Sequence, residues 1–182
     1  MPKLRVKRHA VTQPLDKPYR YIALTQGKIA IVDVEDFDWL SQWNWCAHWK
    51  PDTKSFCAVR RQHGCLIYMH REIVGCGANE VCDHKFHDTL DNRKENLRKC
   101  THKQNQYNMR KPAHNTSGFK GVTLHRDKRR WKAQIGVAGR NFHLGCFDSK
   151  EEAARAYDEA ARIYHGAFAH LNFPVSCRLR RF

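Results

Sequence analysis

The sequence contains no long apolar segment. No run of about 18 apolar residues occurs among its 182 residues, and a helix needs roughly that length to cross the hydrocarbon core of a bilayer. The basic amino terminus is not followed by the apolar core of a secretion signal. We therefore expect an intracellular protein without a membrane partner, in the cytoplasm of a bacterial or phage-infected cell or in an organelle.

A regular zinc-binding pattern is also missing. The eight cysteines include no Cys-x-x-Cys pair, and the spacing of Cys76, Cys82 and Cys100 is irregular for a zinc site. Without a secretion signal, disulfides are not expected. Buried free thiols are the favoured interpretation, with a structural zinc as the less favoured alternative, so no zinc is predicted.

Acidic residues are scarce relative to basic ones. The chain has 18 Asp and Glu residues against 33 Lys and Arg residues, which gives a net charge of +15. A protein this basic usually binds a polyanion, because Lys and Arg neutralise phosphates. We expect double-stranded DNA as the partner, and no pattern in the sequence indicates an obligatory protein partner.

Turn signals and charge divide the chain into segments. Residues 1–18 are basic and contain three prolines, which predicts a basic arm. In residues 19–111, short β patterns with turns such as Gln26-Gly27 predict an antiparallel β meander over 19–69, followed by a second unit. Residues 112–117 are polar and turn-forming, which predicts a linker, and residues 175–182 form a basic tail.

The segment from residue 82 to residue 108 concentrates metal-ligand chemistry. Asp83 and His84 follow an apolar run, and Thr101-x-x-Gln104 is a capping-box pattern that predicts a helix. Asn105 and Asn108 would share one face of that helix. Carboxylate and amide oxygens suit Mg²⁺ or Mn²⁺ rather than zinc, and the chemistry they indicate is metal-assisted phosphodiester hydrolysis.

This segment resembles the ββα-metal motif of HNH homing endonucleases, with residues 68–111 as its core. The resemblance implies that His84 is the general base and that Asn96 orients its ring. It implies Asp83 and Asn105 as ligands of Mg²⁺ or Mn²⁺. Arg93 and Arg98 would bind flanking phosphates, although a solvated basic face is the simpler interpretation of these arginines.

The carboxy-terminal third has the pattern of a sheet covered by one helix. Three strands are predicted over 118–125, 131–137 and 141–147. In the middle strand, Trp131, Ala133, Ile135 and Val137 alternate with polar residues and glycine. Ser149-x-x-Glu152 predicts a helix start, and small residues then recur at helical spacing up to Gly166. We expect the helix to cover one sheet face and leave a polar, cationic face free.

Residues 118–174 resemble the ERF (APETALA-type) DNA-binding domain. The segments that match are Gly118–Val122, Leu144–Asp148, Glu151–Ala161 and Leu171–Pro174. The resemblance implies that the sheet enters the major groove. It also implies DNA contacts at Lys120, Thr123, Gln134, Gly136, Asn141, His143 and Tyr157. Basic side chains add the electrostatic candidates His125, Arg126, Arg130, Lys132 and Arg140.

Together these patterns predict an α+β protein with an amino-terminal meander, an HNH unit and a carboxy-terminal three-stranded antiparallel sheet packed on one helix. The favoured function is that of a metal-dependent homing endonuclease targeted by the ERF-type domain. The alternative is a sequence-specific DNA-binding regulator that does not cleave. A weaker third possibility is a protein that binds structured RNA.

Overall fold

The computed structural model describes residues 8–112, 114–127 and 129–174. The predicted basic tail and residues 1–7 of the predicted arm lie outside these ranges. The chain divides into two compact units, residues 1–101 and 102–182. Mixed α+β structure with antiparallel sheets is confirmed.

The first unit begins with a hairpin. Strands β1 (Tyr19–Ala23) and β2 (Ile29–Asp33) pair antiparallel across a turn at Gln26 and Gly27, which both adopt positive φ. Part of the predicted arm is attached to this hairpin, because the Gln13 side chain accepts from the Tyr21 N–H and donates to the Tyr21 carbonyl. These bonds extend the hairpin edge in the way that a short third strand would.

A helix interrupts the predicted meander. Helix α1 (Val34–Ser41) follows β2, and the chain then forms a separate antiparallel sheet of β3 (Cys46–Lys50), β4 (Ser55–Gln62) and β5 (Cys65–Tyr68). The amino-terminal half is therefore two sheets rather than one continuous meander. Helix α1 lies between the two sheets along the chain, and its residue Leu40 is buried in the same core as Trp45.

The first unit ends with short elements. Helix α2 (Met69–Ile73) is followed by β6 (Val81–His84) and β7 (Leu97–Cys100), which pair antiparallel across a twelve-residue connection, 85–96. Met69 lies in the core with Trp45 and Leu24. The described residues contain no helix with the length and hydropathy required to cross a membrane.

The second unit starts earlier than the sequence predicts. Helix α3 (His102–Asn108) belongs to it, whereas the predicted linker lies at 112–117. Strands β8 (Val122–Leu124), β9 (Trp131–Val137) and β10 (Arg140–Phe147) form one antiparallel sheet in the order β10-β9-β8. Helix α4 (Lys150–Tyr164) and a 3₁₀ turn (Gly166–Phe168) follow.

Small side chains bring α4 close to the sheet. Ala153 and Ala154 pack with Val122 and Ala133, while Ala161 packs with Ile135, and all of these residues are buried. The helix starts as predicted, because the Ser149 hydroxyl accepts from the Glu152 N–H at 3.1 Å. A sheet of three strands needs cover of this kind to be stable.

The closest approach of α4 to the sheet is at Gly121. This residue has φ +76°, and a Cβ added to it would lie 2.0 Å from Tyr157 Cδ2 and 2.8 Å from the Gln134 carbonyl oxygen. Glycine is therefore required both for the backbone conformation and for the space that the Tyr157 ring occupies.

We predict that Gly121→Ala destabilises the second unit by about 3 kcal/mol or more, because the strain of a left-handed alanine adds to a clash in the core. Gly139→Ala is the matched control. Gly139 has φ +82° with no atom within 4 Å of the added Cβ, so only about 1 kcal/mol should be lost. Hydrogen exchange of the β9 amides in the full chain measures the stability that each variant loses. Equal losses in the two variants would show that the contact with the Tyr157 ring does not add to the cost at Gly121.

Candidate nucleic-acid interface

One face of the second unit's sheet carries polar side chains. Thr123 lies opposite Lys132, His143 lies opposite Gln134, and Asn141 lies opposite Gly136. Their neighbours in β9 point to the other side, where Ala133 and Ile135 are buried against α4. We call the face formed by Thr123, Lys132, Gln134, Gly136, Asn141 and His143 the open face. It has the alternation that the sequence predicts.

A β-bulge keeps the open face polar along β10. The register shifts between His143 and Gly145, so that Phe147 returns to the apolar side and packs in the core. A Cβ at Gly145 would lie 3.1 Å from the Phe147 ring. The bulge shifts by one residue the alternation of side chains between the two faces of the sheet. Without this shift, Phe147 would point towards the open face.

Two residues predicted to contact DNA face inward instead. Tyr157 is 3% exposed and packs beneath the sheet, and its burial raises the pKa of the phenol. The Lys120 ammonium donates to the Tyr107 and Met109 carbonyls at 2.7 and 2.6 Å. Burial lowers the pKa of Lys120 to about 8. Both residues position the sheet, and neither lies on the open face.

The basic candidates beside the open face differ in their pairing. The Arg130 guanidinium donates to the Cys146 carbonyl at 2.7 Å and to Asp148 Oδ1 at 3.1 Å. His125 Nδ1 lies 3.1 Å from Asp127 Oδ1. Arg126 and Arg140 are exposed. Arg126 and Arg140 are thus the better placed of these candidates to contact a phosphate.

Charge is distributed unevenly over the second unit. Residues 102–140 contain ten Lys and Arg residues and one acidic residue, Asp127, whereas α4 carries four acidic residues. The segment 102–140, which contains α3 and the first two strands, is therefore strongly cationic, whereas α4, with three basic residues beside its four acidic ones, is nearly neutral. This asymmetry orients a polyanion towards the open face.

Scaffold residues that the sequence patterns did not single out hold the ends of this unit together. Asn172 accepts from the Lys120 N–H at 2.7 Å, and buried Asp158 accepts from the N–H groups of Asn172 and Phe173 at 2.8 Å. Asn172 lies in the Leu171–Pro174 segment, which was the available signal for this role. An asparagine side chain can both donate and accept hydrogen bonds, so it can satisfy nearby backbone groups.

The residues predicted to form a nuclease site have other partners in the first unit. The Arg98 guanidinium donates to Asp83 Oδ2 from Nε at 2.8 Å, and its second nitrogen lies 2.6 Å from the same oxygen. Arg93 pairs with Asp91 through both carboxylate oxygens, since Nε donates to Oδ1 at 2.8 Å and Nη2 donates to Oδ2 at 2.6 Å. Both arginines predicted to bind phosphate are therefore engaged in partly buried ion pairs.

Asn96 and His84 are also built into the connection between β6 and β7. Asn96 is fully buried, accepts from the Phe86 N–H, and donates to the carbonyls of Asp88 and Asp91. It holds backbone groups rather than the His84 ring. His84 Nε2 instead lies 3.4 Å from Asn92 Oδ1, and burial lowers the pKa of His84.

The predicted metal ligands belong to different units. Asp83 lies on β6 in the first unit, and Asn105 lies on α3 in the second. Within the described residues, three carboxylates, those of Asp33, Glu35 and Asp36, bring ligand atoms within 4.8 Å of one another. Lys94 already pairs with two of them, at 2.8 Å from Glu35 and 3.2 Å from Asp36. The magnesium or manganese site and the lack of zinc stay predictions.

The family model for the AP2 domain matches residues 117–167. These residues form an AP2 DNA-binding domain. The resemblance to the APETALA-type domain is thereby confirmed. The matched region holds all three strands of the sheet and the whole of α4, and it begins after α3.

Several plant proteins are similar to this AP2 domain. APETALA2-like protein 2 from Oryza sativa subsp. indica is 42% identical over 67 residues, which is 37% of this chain and 15% of the relative. The AP2-like ethylene-responsive transcription factor TOE2 from Arabidopsis thaliana is 41% identical over 66 residues, 36% of this chain and 14% of the relative. The AP2-like ethylene-responsive transcription factor AIL5 from Arabidopsis thaliana is 48% identical over 62 residues, 33% of this chain and 11% of the relative. The chain thus spans only a small part of the length of the curated relatives that it matches.

These comparisons correct the enzyme prediction. The relatives TOE2 and AIL5 are named as transcription factors, and the family match lies outside the predicted nuclease core, 68–111. The prediction of an HNH homing endonuclease that hydrolyses DNA phosphodiester bonds is therefore wrong. The relatives are plant proteins, which gives no support to a bacterial or phage host.

Two histidines of the first unit, His70 and His84, are buried next to each other, and the pH dependence of stability can test the burial of His70. The His70 ring lies edge-on to the His84 ring, with centroids 4.9 Å apart. Burial first, and then His84, Lys50 and Arg71, lower the pKa of His70 from 6.5 to about 3. Between these two pH values the unfolded chain binds a proton that the folded chain does not, so the first unit loses stability as the pH falls from about 6.5 towards 3.

We predict that His70→Gln lowers the slope of the free energy of unfolding against pH in that window. The expected change is up to about 1.4 kcal/mol per pH unit, which is the contribution of one proton. Urea unfolding at pH 7 and pH 5, followed by tryptophan fluorescence of the full chain, measures the difference. His63→Gln, at an exposed turn, is the control and should keep the wild-type slope. If both variants kept that slope, His70 would not be the group that titrates.

Proposed function

We propose that this chain is a sequence-specific DNA-binding regulator that acts by occupying a duplex site without cutting it. Its AP2 domain would place the open face of the β8–β10 sheet in the major groove. The observation that carries the proposal is the separation of the two sheet faces, one sealed by α4 and the other bearing Thr123, Lys132, Gln134, Asn141 and His143.

The dimensions and the charge of the domain support this placement. The major groove of B-form DNA is about 12 Å wide and admits β-strands, while the deep, narrow major groove of A-form RNA does not. Cations concentrated in residues 102–140 would contact phosphates on both sides of the groove. Those contacts would set the position of the domain, and the open face would read bases.

The side chains on the open face favour adenine over guanine as the contacted base. Gln134 and Asn141 end in carboxamides, which pair bidentately with adenine N6 and N7, whereas guanine is usually read by arginine. The described part of the open face includes no arginine and one lysine, Lys132. We therefore expect A·T pairs at the centre of the recognised site.

The relatives support regulation as the biological role. Those named as transcription factors carry a domain that is more than 40% identical to this one. Because the matched segment is a small part of those proteins, the role of the whole chain rests on the AP2 domain alone. The first unit would then serve as a scaffold or as a second contact surface.

Selection from a randomised duplex library tests the function. We expect enrichment of one sequence, recovery of intact duplex in the presence of Mg²⁺, and weak competition by duplex RNA at matched salt. Lack of enrichment over random duplex would contradict sequence-specific binding. Stronger competition by RNA would instead support the structured-RNA alternative.

We predict that Gln134→Ala and Asn141→Ala each lose about 1–3 kcal/mol of discrimination at one base pair of the selected site, because each removes a bidentate contact. Arg126→Gln is the contrasting control. It should weaken binding to all sequences alike, since an exposed turn arginine contacts phosphate rather than a base edge. Titration of duplexes substituted one pair at a time distinguishes these patterns, and uniform losses for all three variants would exclude base readout by the carboxamides.

A further inference from the structure

Helix α3 and the β9–β10 hairpin enclose a groove beside the AP2 domain's sheet. The groove has a volume of about 330 Å³ and lies entirely within the second unit. Lys103 and Gln106 of α3 line one wall, Arg140 and Asn141 of the hairpin line the other, and Gly136 lies between them. The helix precedes the region that the family model matches, so one wall of this groove is an addition to the AP2 domain.

Three contacts fix α3 in this place. The Tyr107 ring stacks on the His165 ring, with centroids 3.8 Å apart and planes within 8°. His165 Nε2 in turn bonds the Gly136 carbonyl at 2.9 Å. Lys120 donates to the Tyr107 and Met109 carbonyls, which neutralises the carboxyl end of the helix. The helix is therefore attached through His165 to the middle strand of the sheet and through Lys120 to the residues that precede β8.

The cations that remain exposed in the groove are on its walls. Lys120 is occupied by the two carbonyls, whereas Lys103 and Arg140 have exposed side chains. Among the residues that the structure describes, none of those lining the groove is acidic. A site with two cations and two carboxamides, without a carboxylate, is complementary to a phosphate.

The groove is continuous with the open face. Asn141 and Gly136 belong to both surfaces, and Gly136 keeps the connection open because it has no side chain. Asn141 Oδ1 would lie 3.3 Å from a Cβ at that position. A duplex whose major groove receives the open face therefore has its sugar–phosphate backbone at the edge of the sheet, beside α3.

We propose that this groove binds a backbone phosphate of the DNA target, so that α3 extends the DNA interface beyond the AP2 domain. The proposal rests on the function proposed above, since it takes the open face to be the surface in the major groove. Lys103 and Arg140 would neutralise the phosphate, and Gln106 would donate a hydrogen bond to it, while Asn141 at the junction stays available to read a base. Contacts of this kind would fix the register of the sheet on the duplex.

The salt dependence of binding tests the proposal. In the full chain with its selected duplex, log Kd varies linearly with log salt, and each neutralised phosphate contributes about 0.9 to the slope. Lys103→Gln and Arg140→Gln should each lower the slope by up to that amount and weaken binding several-fold at physiological salt, without changing the preferred sequence. Arg162→Gln, on the exposed side of α4, removes the same charge and is the matched control.

A substitution in the groove that adds charge gives a second, independent measurement. Gln106→Glu should weaken binding more than Gln106→Ala, because a carboxylate would face the phosphate. If Lys103→Gln and Arg140→Gln matched Arg162→Gln while the wild type still selected one sequence, the groove proposal would be wrong and the proposed function would stand. If the wild type selected no sequence, the proposed function itself would fail.

Discussion

The contact between the Tyr157 ring and the backbone at Gly121 is the constraint on which the DNA-binding half of the molecule depends. The ring fills the space where any other residue would place a Cβ, and it brings α4 against the middle of the sheet. Three short strands bury too little area to persist alone. The open face therefore exists because the opposite face is closed by one tyrosine and a row of alanines.

The same contact explains how a polar surface can be both exposed and rigid. The apolar residues of β9 are held by α4, so the alternate side chains of the strand have fixed directions. The bulge after His143 then restores the phase of β10 so that Phe147 joins the core. Rigid presentation of hydrogen-bonding groups reduces the entropy lost on binding.

Charge is used differently in the two units. In the first unit, basic side chains are paired within the fold: Arg60 with Glu72, Arg93 with Asp91 and Arg98 with Asp83. The Arg60 guanidinium also lies 4.2 Å from the Trp43 ring centroid. Residues 102–182 contain 16 basic and 6 acidic residues, which account for ten of the fifteen net charges. Most of the net charge from which composition predicts affinity for a polyanion is therefore carried by residues 102–182, the segment that contains the AP2 domain.

Local patterns predicted two of the three strands of the AP2 domain's sheet well, whereas the first strand is only Val122–Leu124 rather than the predicted 118–125. Strand β9 spans the predicted residues 131–137, β10 begins one residue before the predicted 141, and the Ser149 cap starts α4. These features depend on residues a few positions apart, where periodicity and capping chemistry act. What the sequence did not predict depends on contacts between distant residues. The stack of Tyr107 on His165, which assigns α3 to the second unit, leaves no short-range signal.

The error in the nuclease prediction has a related cause. Asp83, His84 and Asn96 occur at the spacings of a metal site, but spacing does not specify which atoms they bond. In the fold, Asn96 bonds three backbone groups of the 85–96 connection, and Asp83 accepts from Arg98 on the paired strand. Polar residues that close a loop and residues that bind an ion have the same composition. Spacing alone therefore does not distinguish the two uses, and the metal site stays a prediction.

Lys120 shows how the boundary of a domain can change the role of a matched position. Its backbone N–H is bonded by Asn172, which follows the matched region 117–167. Its ammonium is bonded to the carbonyls of Tyr107 and Met109, at the end of α3 and just after it, which precede that region. These two bonds withdraw the Lys120 cation from the surface of the domain. The helix that binds it brings Lys103 to the edge of the same groove. In the groove proposal, Lys103 of the preceding helix supplies the exposed cation that Lys120 does not, so the extent of the proposed interface follows the packing of α3 rather than the limits of the matched region.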